Sequence, residues 1–315
     1  MIIVVSHQED DHAIGVLAAL GARRHPFALV DTGLFPTRST LTQRFGDGPS
    51  RFELVVDGAP VDLAPARVGW WRRPRPFTLH DGIAPDVAAF TYTECNEAVA
   101  GLWGALDLTW VNSPPLDEMA HHKPYQLAVA AEVGLPIPRT VITNDPDAAA
   151  AFGASNGPGG TIYKTFLATE EHWRETRILR PDELVLLDRV RLAPVIFQEF
   201  VPAVADIRVT VLGDRLFATA VTTAPGSYAF DYRMDLGGAS FTPTELAPEM
   251  GAKLLALMRR LGIVYGAIDL RRTPDDGDVF LEVNPAGEWR FVEDRTGQPI
   301  TQAMADLLIA LDKER

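Results

Sequence analysis

The sequence predicts an α/β protein whose first domain has a mainly parallel sheet and whose later part contains antiparallel hairpins. Up to about residue 110, short apolar runs that suit buried strands alternate with longer patterns that suit helices. Further along the chain, pairs of strand-like runs are separated by short turn sequences, a pattern typical of β-hairpins. Two adjacent prolines, Pro114 and Pro115, lie between these parts and mark a boundary.

In the first domain, strand and helix patterns follow one another in order. The run "IIVVS" predicts a strand, the next helix is expected from about Asp11 to Arg24, and "FALVD" predicts a second strand. A hairpin is expected around Asp57-Gly58, followed by the strand "VGWWRR". A long helix from about Ala84 to Leu106 comes last in this domain.

Beyond the two prolines, helices and strands alternate less regularly. A helix is expected from about Asp117 to Glu132, followed by the strand "RTVIT". Asp145 suits the N-cap of another helix, which ends near the glycine-rich "SNGPGG" and precedes the strand "TIYKTF". Residues 167–192 are rich in charge and favour no single structure.

After residue 192 the strand patterns become clearer. The runs "PVIFQEFV", "ADIRVTVL" and "RLFATAVT" predict three strands, the last two joined at Gly213-Asp214 as a hairpin. A helix from about Pro248 to Leu261 leads to a further hairpin. An amphipathic helix is expected from about Pro299 to Leu311.

Composition and charge exclude several classes of protein. The chain has 315 residues, of which 47% are hydrophobic and 23% charged, a balance typical of a globular protein with two or three packed units. Its net charge of −13 argues against nucleic acid as a main partner, because phosphate binding needs a basic surface. No apolar run is long enough to span a membrane, and the first residues lack the basic start of a signal peptide. The single cysteine, Cys95, fits a reducing cytoplasm and a buried thiol.

One predicted hairpin, residues 265–287, brings three oxygen side chains to one face. If its turn is centred between Asp275 and Asp276, Asp269 on the first strand falls opposite Glu282 on the second. Asn284 lies two residues beyond Glu282 and therefore points to the same face. Facing carboxylates repel each other unless a cation lies between them, and hard oxygen ligands suit Mg²⁺ or Mn²⁺. Geometry alone supports a solvent-facing hairpin with scattered acids equally well.

Two lysines lie where an anion would be favourable. Lys164 is flanked by strand residues, and a lysine is costly to bury without an anionic partner. Lys123 begins a helix, and helix N-termini attract anions. A nucleotide phosphate would satisfy either lysine. An ordinary ion pair at Lys164 and a solvated position for Lys123 are the simpler alternatives, and both stay open.

Two strands carry further polar side chains that could meet a ligand. In "IFQEFV", Glu199 lies between apolar neighbours, and a segment leaving a sheet can provide the apolar slot and backbone groups that bind adenine. In "ADIRV", Arg208 could hold a phosphate through two parallel hydrogen bonds. The alternatives are a core strand with a paired glutamate and an internal pair between Asp206 and Arg208.

The run "WWRRPRP" concentrates Arg72, Arg73 and Arg75 after two tryptophans. It fits either a binding patch for an anion or peptide, or an ordinary strand end with solvated arginines. The acidic run from His7 to His12 has no usual metal-ligand spacing, and a helix N-terminus that favours acids explains it better.

The order of these signals is more specific than any one of them. Over about residues 115–300, Lys123, Lys164, "QEFV", "DIRV", Asp269 and "EVNPAG" resemble the ordered motif set of the ATP-grasp superfamily of carboxylate–amine ligases. The resemblance implies an N-terminal α/β pre-ATP-grasp domain followed by two α+β subdomains that clasp ATP. The corresponding domain boundaries are 1–112 for the first domain, 113–192 for the central subdomain and 193–315 for the C-terminal subdomain with the metal site.

The same resemblance implies the roles of the site residues. Asp269, Glu282 and Asn284 would bind magnesium, with two ions expected and Mn²⁺ as the alternative metal. Lys123 and Lys164 would contact the phosphates of ATP, and Arg208 the transferred group. The segment that binds adenine would be Gln198, Glu199, Phe200 and Val201.

Within this superfamily, "WWRRP", "SYAFDYRMD" and "NPAGEWRFVEDRTGQPI" are similar to elements of the microviridin-type, or graspetide, peptide macrocyclases. This similarity implies that Arg72, Arg73 and Asp231 take part in peptide recognition and Arg233 in catalysis. Residues 167–192 would include a phosphate-covering loop and part of the surface for a leader peptide.

The resemblance therefore implies an ATP-dependent enzyme that forms ester or amide macrocycles in a ribosomal precursor peptide. The expected partners are a precursor with a leader and an acidic core and a second copy of the chain in a homodimer, with no nucleic acid and no membrane. Two alternatives stay open. One is a ligase that joins a free amino acid or small amine to a carboxylate, and the other is a nucleotide-binding regulatory module without ligase activity.

Overall fold

The computed structural model describes residues 1–46, 48–157, 160–166, 176–223, 237–275 and 277–314, and the chain divides into two compact units. Unit 1 contains Met1–Asp117, Glu288–Glu293 and Pro299–Arg315, whereas unit 2 contains Glu118–Gly287 and Asp294–Gln298. The division into three domains expected from the sequence stays a prediction. The last part of the chain belongs to unit 1 rather than to the hairpin region that precedes it.

The described residues form the following strands and helices. The strands are β1 (Ile2–Val5), β2 (Phe27–Val30), β3 (Ser39–Arg44), β4 (Arg51–Val56), β5 (Ala59–Val61), β6 (Val68–Trp71), β7 (Thr109–Val111), β8 (Thr140–Thr143), β9 (Thr161–Lys164), β10 (Arg177–Ile178), β11 (Val195–Glu199), β12 (Ala205–Leu212), β13 (Arg215–Thr222), β14 (Ser240–Pro243), β15 (Tyr265–Arg272) and β16 (Asp278–Asn284). The helices are α1 (Asp11–Ala22), α2 (Pro85–Ala105), α3 (Pro114–His121), α4 (Lys123–Glu132), α5 (Pro146–Asn156), α6 (Pro248–Leu261), α7 (Arg290–Thr296) and α8 (Ile300–Lys313). Short 3-10 helices cover Thr32–Leu34 and Pro181–Leu192.

Unit 1 contains the parallel sheet that the sequence predicts. Its strands lie in the order β2-β1-β6-β7, and every neighbouring pair is parallel. All four residues of β1 are fully buried, as expected for an apolar strand covered on both faces. The predicted hairpin of β4 and β5 is extended by β3 into a three-stranded antiparallel sheet. The short strands β3 and β7 were not predicted, because their few polar and aromatic residues give no clear alternation.

A buried ion pair joins the start of α1 to the end of β6. Asp10 caps α1, and its carboxylate accepts hydrogen bonds from the Arg72 Nε at 3.1 Å and the Ser6 Oγ at 2.7 Å. Both side chains of the ion pair are completely buried. Burial alone would raise the pKa of Asp10, but hydrogen bonds from His12, the charge of Arg72 and the Ser6 hydroxyl hold it well below its usual range. Asp10 is therefore ionised, and it depends on its partners to stay so.

Trp289 anchors the segment that returns to unit 1. Its backbone N–H and that of Arg290 both donate to the His12 Nε2, at 3.0 and 3.1 Å. The indole Nε1 donates to the Thr301 Oγ1 at 3.0 Å, and the Arg72 guanidinium lies over the ring at 5.3 Å from its centroid. The indole is fully buried. The returning segment and α8, which packs against α1, are thus part of the core of unit 1.

Unit 2 contains two antiparallel sheets. One has the strand order β10-β9-β11-β8 and the other β14-β13-β12-β15-β16. The amphipathic helix α6 buries Leu254, Leu257, Met258 and Leu261 against the second sheet, and Gly262 ends it in the left-handed conformation that glycine favours.

The helix predicted from Asp117 to Glu132 is interrupted at His122. The structure instead has α3, which ends at His121, and α4, which begins at Lys123. Pro124 explains the break, because proline has no N–H and its ring clashes with the carbonyl of a preceding helical turn. The break makes Lys123 the first residue of a helix, the position that the sequence predicted for it.

Cys95 is a buried thiol of α2, as predicted. Burial, together with the negative charge of Glu94, raises the pKa of this thiol and disfavours the reactive thiolate. Among the described helices, none combines the length and the apolar character that a membrane crossing requires.

Replacing Arg72 by Met should lower the free energy of unfolding by about 3–5 kcal/mol, because it leaves Asp10 buried without its charged partner. Arg73→Met is the matched control. Its pair with Glu288 is about half exposed, so the loss should be about 0–1 kcal/mol. Urea unfolding followed by tryptophan fluorescence measures both. Equal losses in the two variants would contradict the role assigned to the buried pair.

Candidate active site

The central hairpin places Asp269 directly opposite Glu282, as the sequence predicts. However, the turn is not centred where the sequence predicted, and the register shifts between Asp269 and Leu270. Leu270 pairs with Phe280, whereas Asp269 pairs with Glu282, so Leu281 is an extra residue in β16. The turn is therefore centred on Asp275, and without the extra residue Asp269 would face Leu281. The irregularity aims Glu282 and Asn284 at the face that carries Asp269.

Asp269 is paired with Arg208 on the neighbouring strand β12. The Arg208 Nη1 donates to the Asp269 Oδ1 at 2.8 Å, and both side chains are nearly buried. Two positions along, Asp206 lies opposite Arg271, with 3.4 Å between carboxylate oxygen and Nε. "DIR" on β12 and "DLR" on β15 thus form two cross-strand ion pairs. Both Asp206 and Arg208 therefore have an oppositely charged partner on the neighbouring strand.

Glu282 is paired with Lys123 at the start of α4. The Lys123 Nζ forms an ion pair with the Glu282 Oε2, and both side chains are about one fifth exposed. A carboxylate beside the first residue of a helix is also favoured by the helix dipole. The predicted metal ligand and the predicted phosphate ligand are therefore in direct contact.

Gln126, a residue that the sequence reasoning missed, fixes α4 against β16. Its side chain donates to the Val283 carbonyl at 2.7 Å and accepts from the Val283 N–H at 3.0 Å. A second donor hydrogen reaches the Ala120 carbonyl at 2.6 Å. Gln126 is buried, so these bonds hold the helix next to Glu282. A glutamine between apolar residues of a helix was the available signal.

Asn284 shapes the loop that follows the hairpin. Its Oδ1 accepts from the Ala286 N–H at 3.0 Å, and its carbonyl accepts from the Gly287 N–H at 3.2 Å. The Tyr265 hydroxyl donates to the Gly287 carbonyl. A Cβ on Gly287 would overlap the Cβ of Ala267 and come within 3.0 Å of the Arg208 Nη2. Glycine is required here because the loop passes directly over the ion pairs.

The predicted adenine-binding segment leaves the sheet at the end of β11. Gln198 is buried and donates to the Thr140 Oγ1 at 2.9 Å. Glu199 forms an ion pair with Arg139 at 2.8 Å, the simpler alternative left open by the sequence. The N–H groups of Glu199 and Phe200 donate to the carbonyls of Arg139 and Gly160.

The end of this segment lies beside the ion-pair ladder of the other sheet of unit 2. The Arg271 guanidinium lies over the Phe200 ring, 5.5 Å from its centroid. Val201 follows Phe200 and is partly buried. One strand, β15, therefore carries both Asp269 of the hairpin site and Arg271, which contacts the adenine-binding segment.

Lys164 is the last residue of β9. It is partly buried and in register with Ile196 of β11, so it belongs to the sheet that ends in the adenine-binding segment. The structure thus groups Lys123, Arg208, Asp269 and Glu282, and it places Lys164 on the other sheet of unit 2.

The arginines of unit 1 have different environments. Arg72 is completely buried and is held by Asp10 and Trp289, so it is not a solvated strand end. Arg73 has a side chain that is 46% exposed and an ion pair with Glu288 at 2.8 Å. The contribution of both arginines to peptide recognition stays a prediction, and Arg73 is the one that a peptide could reach. Asp231 and Arg233 lie outside the described residues.

The acidic run at the start of α1 is explained by helix capping, as predicted. Asp10, Asp11 and His12 lie close enough together to suggest a metal site. However, the His12 Nε2 accepts two backbone N–H groups, and its Nδ1 lies 2.6 Å from the Asp11 carboxylate. Asp10 is committed to Arg72 and to the helix N-terminus.

The residues of the hairpin fit a divalent metal of the magnesium type. Asp269 and Glu282 face each other across a strand pair, and Asn284 follows on the same strand. These side chains offer carboxylate and amide oxygens and no nitrogen or sulfur ligand, the donor set that Mg²⁺ prefers.

Residues 1–118 match the family described as the MvdD pre-ATP grasp domain. The fold is similar to that of the macrocyclase MdnC from Microcystis aeruginosa MRC, whose crystal structure contains the precursor peptide MdnA. The two chains are 27% identical, with a TM-score of 0.88 over 98% of this chain and 99% of the other. The ATP-grasp ligase PsnB, in a complex with a phosphomimetic variant of its minimal precursor, Mg and ADP, is 26% identical, with a TM-score of 0.78 over 98% of both chains.

A curated relative matches over a shorter stretch. The probable alpha-L-glutamate ligase 2 of Shewanella amazonensis is 27% identical over 119 residues. This match covers 37% of the present chain and spans only 38% of the length of that relative.

The two antiparallel sheets of unit 2, the paired carboxylates of the hairpin and these similarities define an ATP-grasp protein. Within that superfamily, the chain is similar to the macrocyclase MdnC and the ligase PsnB over nearly its full length, and its first 118 residues match the MvdD pre-ATP grasp domain.

Replacing Gly287 by Ala should destabilise the protein by about 1–3 kcal/mol, because the added methyl group overlaps Ala267 and presses on Arg208. Gly101→Ala is the matched control, since that helical glycine has open space around its Cβ position. There we expect a gain of about 0.5–1 kcal/mol from the better helix former. Thermal unfolding of the unsubstituted protein and of the two variants measures these differences in stability. A Gly287→Ala protein as stable as the unsubstituted protein would contradict the tight loop.

Proposed function

We propose that this protein is an ADP-forming ligase that cyclises a ribosomal precursor peptide through its side chains. The observation that carries the proposal is the cluster of Asp269 and Glu282 with Arg208 and Lys123. It combines two carboxylates that suit a divalent ion with two cations that suit phosphate oxygens. MdnC and PsnB, which the chain resembles over nearly its full length, were crystallised with precursor peptides, and this supports a peptide substrate.

The reaction has two steps. First, a side-chain carboxylate of the peptide attacks the γ-phosphorus of ATP, the bond to the β–γ bridging oxygen breaks, and ADP leaves. Second, a peptide hydroxyl or amine attacks the acyl phosphate, gives up its proton, and displaces inorganic phosphate. The product is an ester or an amide, and the peptide loses one water for each ring.

Asp269, Glu282 and Asn284 would hold Mg²⁺, with two ions expected and Mn²⁺ as an alternative. A divalent ion bound there would neutralise the phosphate oxygens as charge moves between them. The nucleotide in the PsnB complex is ADP together with Mg, which supports this pairing of ligands. The chain's own contribution is to aim the three oxygen ligands at one face through the extra residue in β16.

The nucleotide would lie along the face that connects the adenine-binding segment with the hairpin. Gln198, Glu199, Phe200 and Val201 would bind adenine, and the stacking of Arg271 on Phe200 fixes this segment beside β15. Lys123 and Lys164 would hold the phosphates. Arg208 would stabilise the transferred group, because its guanidinium can donate to Asp269 and to an anion at the same time.

The peptide would be recognised by basic and apolar surfaces. Of Arg72 and Arg73, only Arg73 is accessible to a peptide. Its guanidinium would attract an acidic core peptide, despite the negative net charge of the protein. Arg72 would act indirectly, by supporting the strand end from within unit 1. Asp231 would contribute to peptide binding and Arg233 to catalysis, as predicted from the sequence.

The leader peptide would bind to the 3-10 helix Pro181–Leu192. This helix exposes a row of apolar side chains, and Val185 and Leu192 are 81% and 88% exposed. Contiguous apolar patches on a protein surface mark interaction sites. A homodimer and a cytoplasmic location stay predictions from the sequence.

A second candidate is a ligase that adds a free amino acid to a carboxylate. The partial similarity to the probable alpha-L-glutamate ligase favours it. Such an enzyme would consume ATP with small substrates and would need no leader sequence.

The central test is incubation of the protein with ATP, Mg²⁺ and the precursor peptide encoded beside it, followed by mass spectrometry. We expect the loss of one water for each ring, and mild base will reopen any ring closed by an ester.

Glu282→Gln should abolish the product without unfolding the protein, because the substitution removes a charged metal ligand. Glu249→Gln, at an exposed carboxylate of α6, is the matched control and should retain full activity. Turnover by Glu282→Gln would refute the metal assignment, whereas ATP consumption only with free amino acids would favour the second candidate.

Replacing Arg73 by Ala should raise the KM for the peptide by roughly tenfold or more, since a charged hydrogen bond to an acidic side chain is lost. The KM for ATP should stay unchanged. Arg44→Ala removes a similarly exposed arginine that pairs with Glu53, and it should alter neither value. Steady-state kinetics with each substrate varied in turn checks this. An equal rise in both KM values would count against peptide recognition by Arg73.

A further inference from the structure

Among the described residues, each carboxylate of the proposed metal site is in contact with a cation of the same unit. Asp269 accepts a hydrogen bond from Arg208 at 2.8 Å, and Glu282 forms an ion pair with Lys123. The two acids and two bases cancel in charge. A divalent ion that approaches this cluster must therefore compete with internal cations for its ligands.

The two pairs differ in how easily they can open. Arg208 is buried within the ladder formed with Asp206 and Arg271, and its several N–H donors let it keep Asp269 while it binds another anion. Lys123 is more exposed, and its ammonium sits at the end of a flexible stem. An ammonium that neutralises Glu282 cannot hold a distant phosphate group at the same time.

The backbone around the second pair is fixed. Gln126 locks α4 to Val283, the residue after Glu282, through two hydrogen bonds. A change of partner for Lys123 therefore needs only a rotation of its side chain and no movement of the helix. The same fixed helix start keeps the ammonium within reach of any anion that enters beside Glu282.

We propose that Lys123 is an exchangeable counter-ion that couples metal binding to nucleotide binding. Without nucleotide, the Lys123 ammonium stays paired with the Glu282 carboxylate. When a nucleotide binds, its phosphates attract the ammonium, and the Glu282 carboxylate becomes available to the metal. By linkage, the nucleotide tightens metal binding and the metal tightens nucleotide binding by the same factor. This inference rests on the proposed function, because it takes the hairpin to be the metal site of a nucleotide-dependent enzyme.

The test measures binding of Mn²⁺ to the protein by the decrease of the free-ion electron paramagnetic resonance signal relative to the same solution without protein, with and without a non-hydrolysable ATP analogue. In the unsubstituted protein, Mn²⁺ alone should bind weakly and the analogue should tighten it. Lys123→Met should bind Mn²⁺ alone about tenfold more tightly or better, because an opposite charge at this distance changes the cation affinity of a carboxylate by at least that factor. In this variant, the analogue should increase the affinity for Mn²⁺ only slightly.

Three variants control this measurement. Lys123→Arg keeps the charge and should bind Mn²⁺ alone as weakly as the unsubstituted protein. Lys253→Met removes a lysine of an exposed pair with Glu249 on α6 and should change nothing. Adding Glu282→Gln to Lys123→Met should abolish the gain in Mn²⁺ affinity. This result would show that the additional Mn²⁺ binding takes place at the hairpin.

The outcomes separate this inference from the proposed function. Mn²⁺ binding that depends on the analogue in the unsubstituted protein but is unchanged in a folded Lys123→Met protein would overturn the counter-ion role and leave the metal site intact. Failure of every protein to bind Mn²⁺, even with the analogue, would overturn both. Circular dichroism confirms that each variant is folded.

Discussion

The repulsion between Asp269 and Glu282 is the constraint on which the site depends. Two carboxylates in direct cross-strand register destabilise a hairpin unless positive charge reaches both of them. The fold provides it from two directions, with Arg208 on the neighbouring strand and Lys123 at a helix start. The strand order β12-β15-β16 places Arg208 beside Asp269, and the attachment of α4 through Gln126 places Lys123 beside Glu282. The same charges make the cluster suited to a metal nucleotide.

Local patterns predicted the hairpin, most of the strands and the capped start of α1, because each depends on residues close together in the sequence. The register of the hairpin was correct although the predicted turn centre was shifted. Alternation of side chains cannot reveal the extra Leu281, since a strand with one more residue has the same composition. The helix start at Lys123 was predicted, but a single helix from Asp117 to Glu132 was predicted as well, and Pro124 is the local signal that separates α3 from α4.

The roles of residues that contact distant parts of the chain could not be predicted. Arg72 looks like a surface residue in "WWRRPRP", and only its pairing with Asp10, 62 positions away, makes it a core residue. His12 likewise has no local sign of its bonds to Trp289. The ladder of Asp206 and Arg208 with Arg271 and Asp269 is a further case, because an acid and a base two residues apart on one strand suggest internal pairing until the neighbouring strand is known.

The return of the chain to unit 1 has a consequence for biosynthesis. Residues 1–117 lack Trp289 and α8, which close the core around His12 and Arg72, so unit 1 cannot be completed while the ribosome is still making the middle of the chain. Unit 2 lies almost wholly between these two parts in sequence and emerges first in full. The order of synthesis therefore favours folding of unit 2 before unit 1.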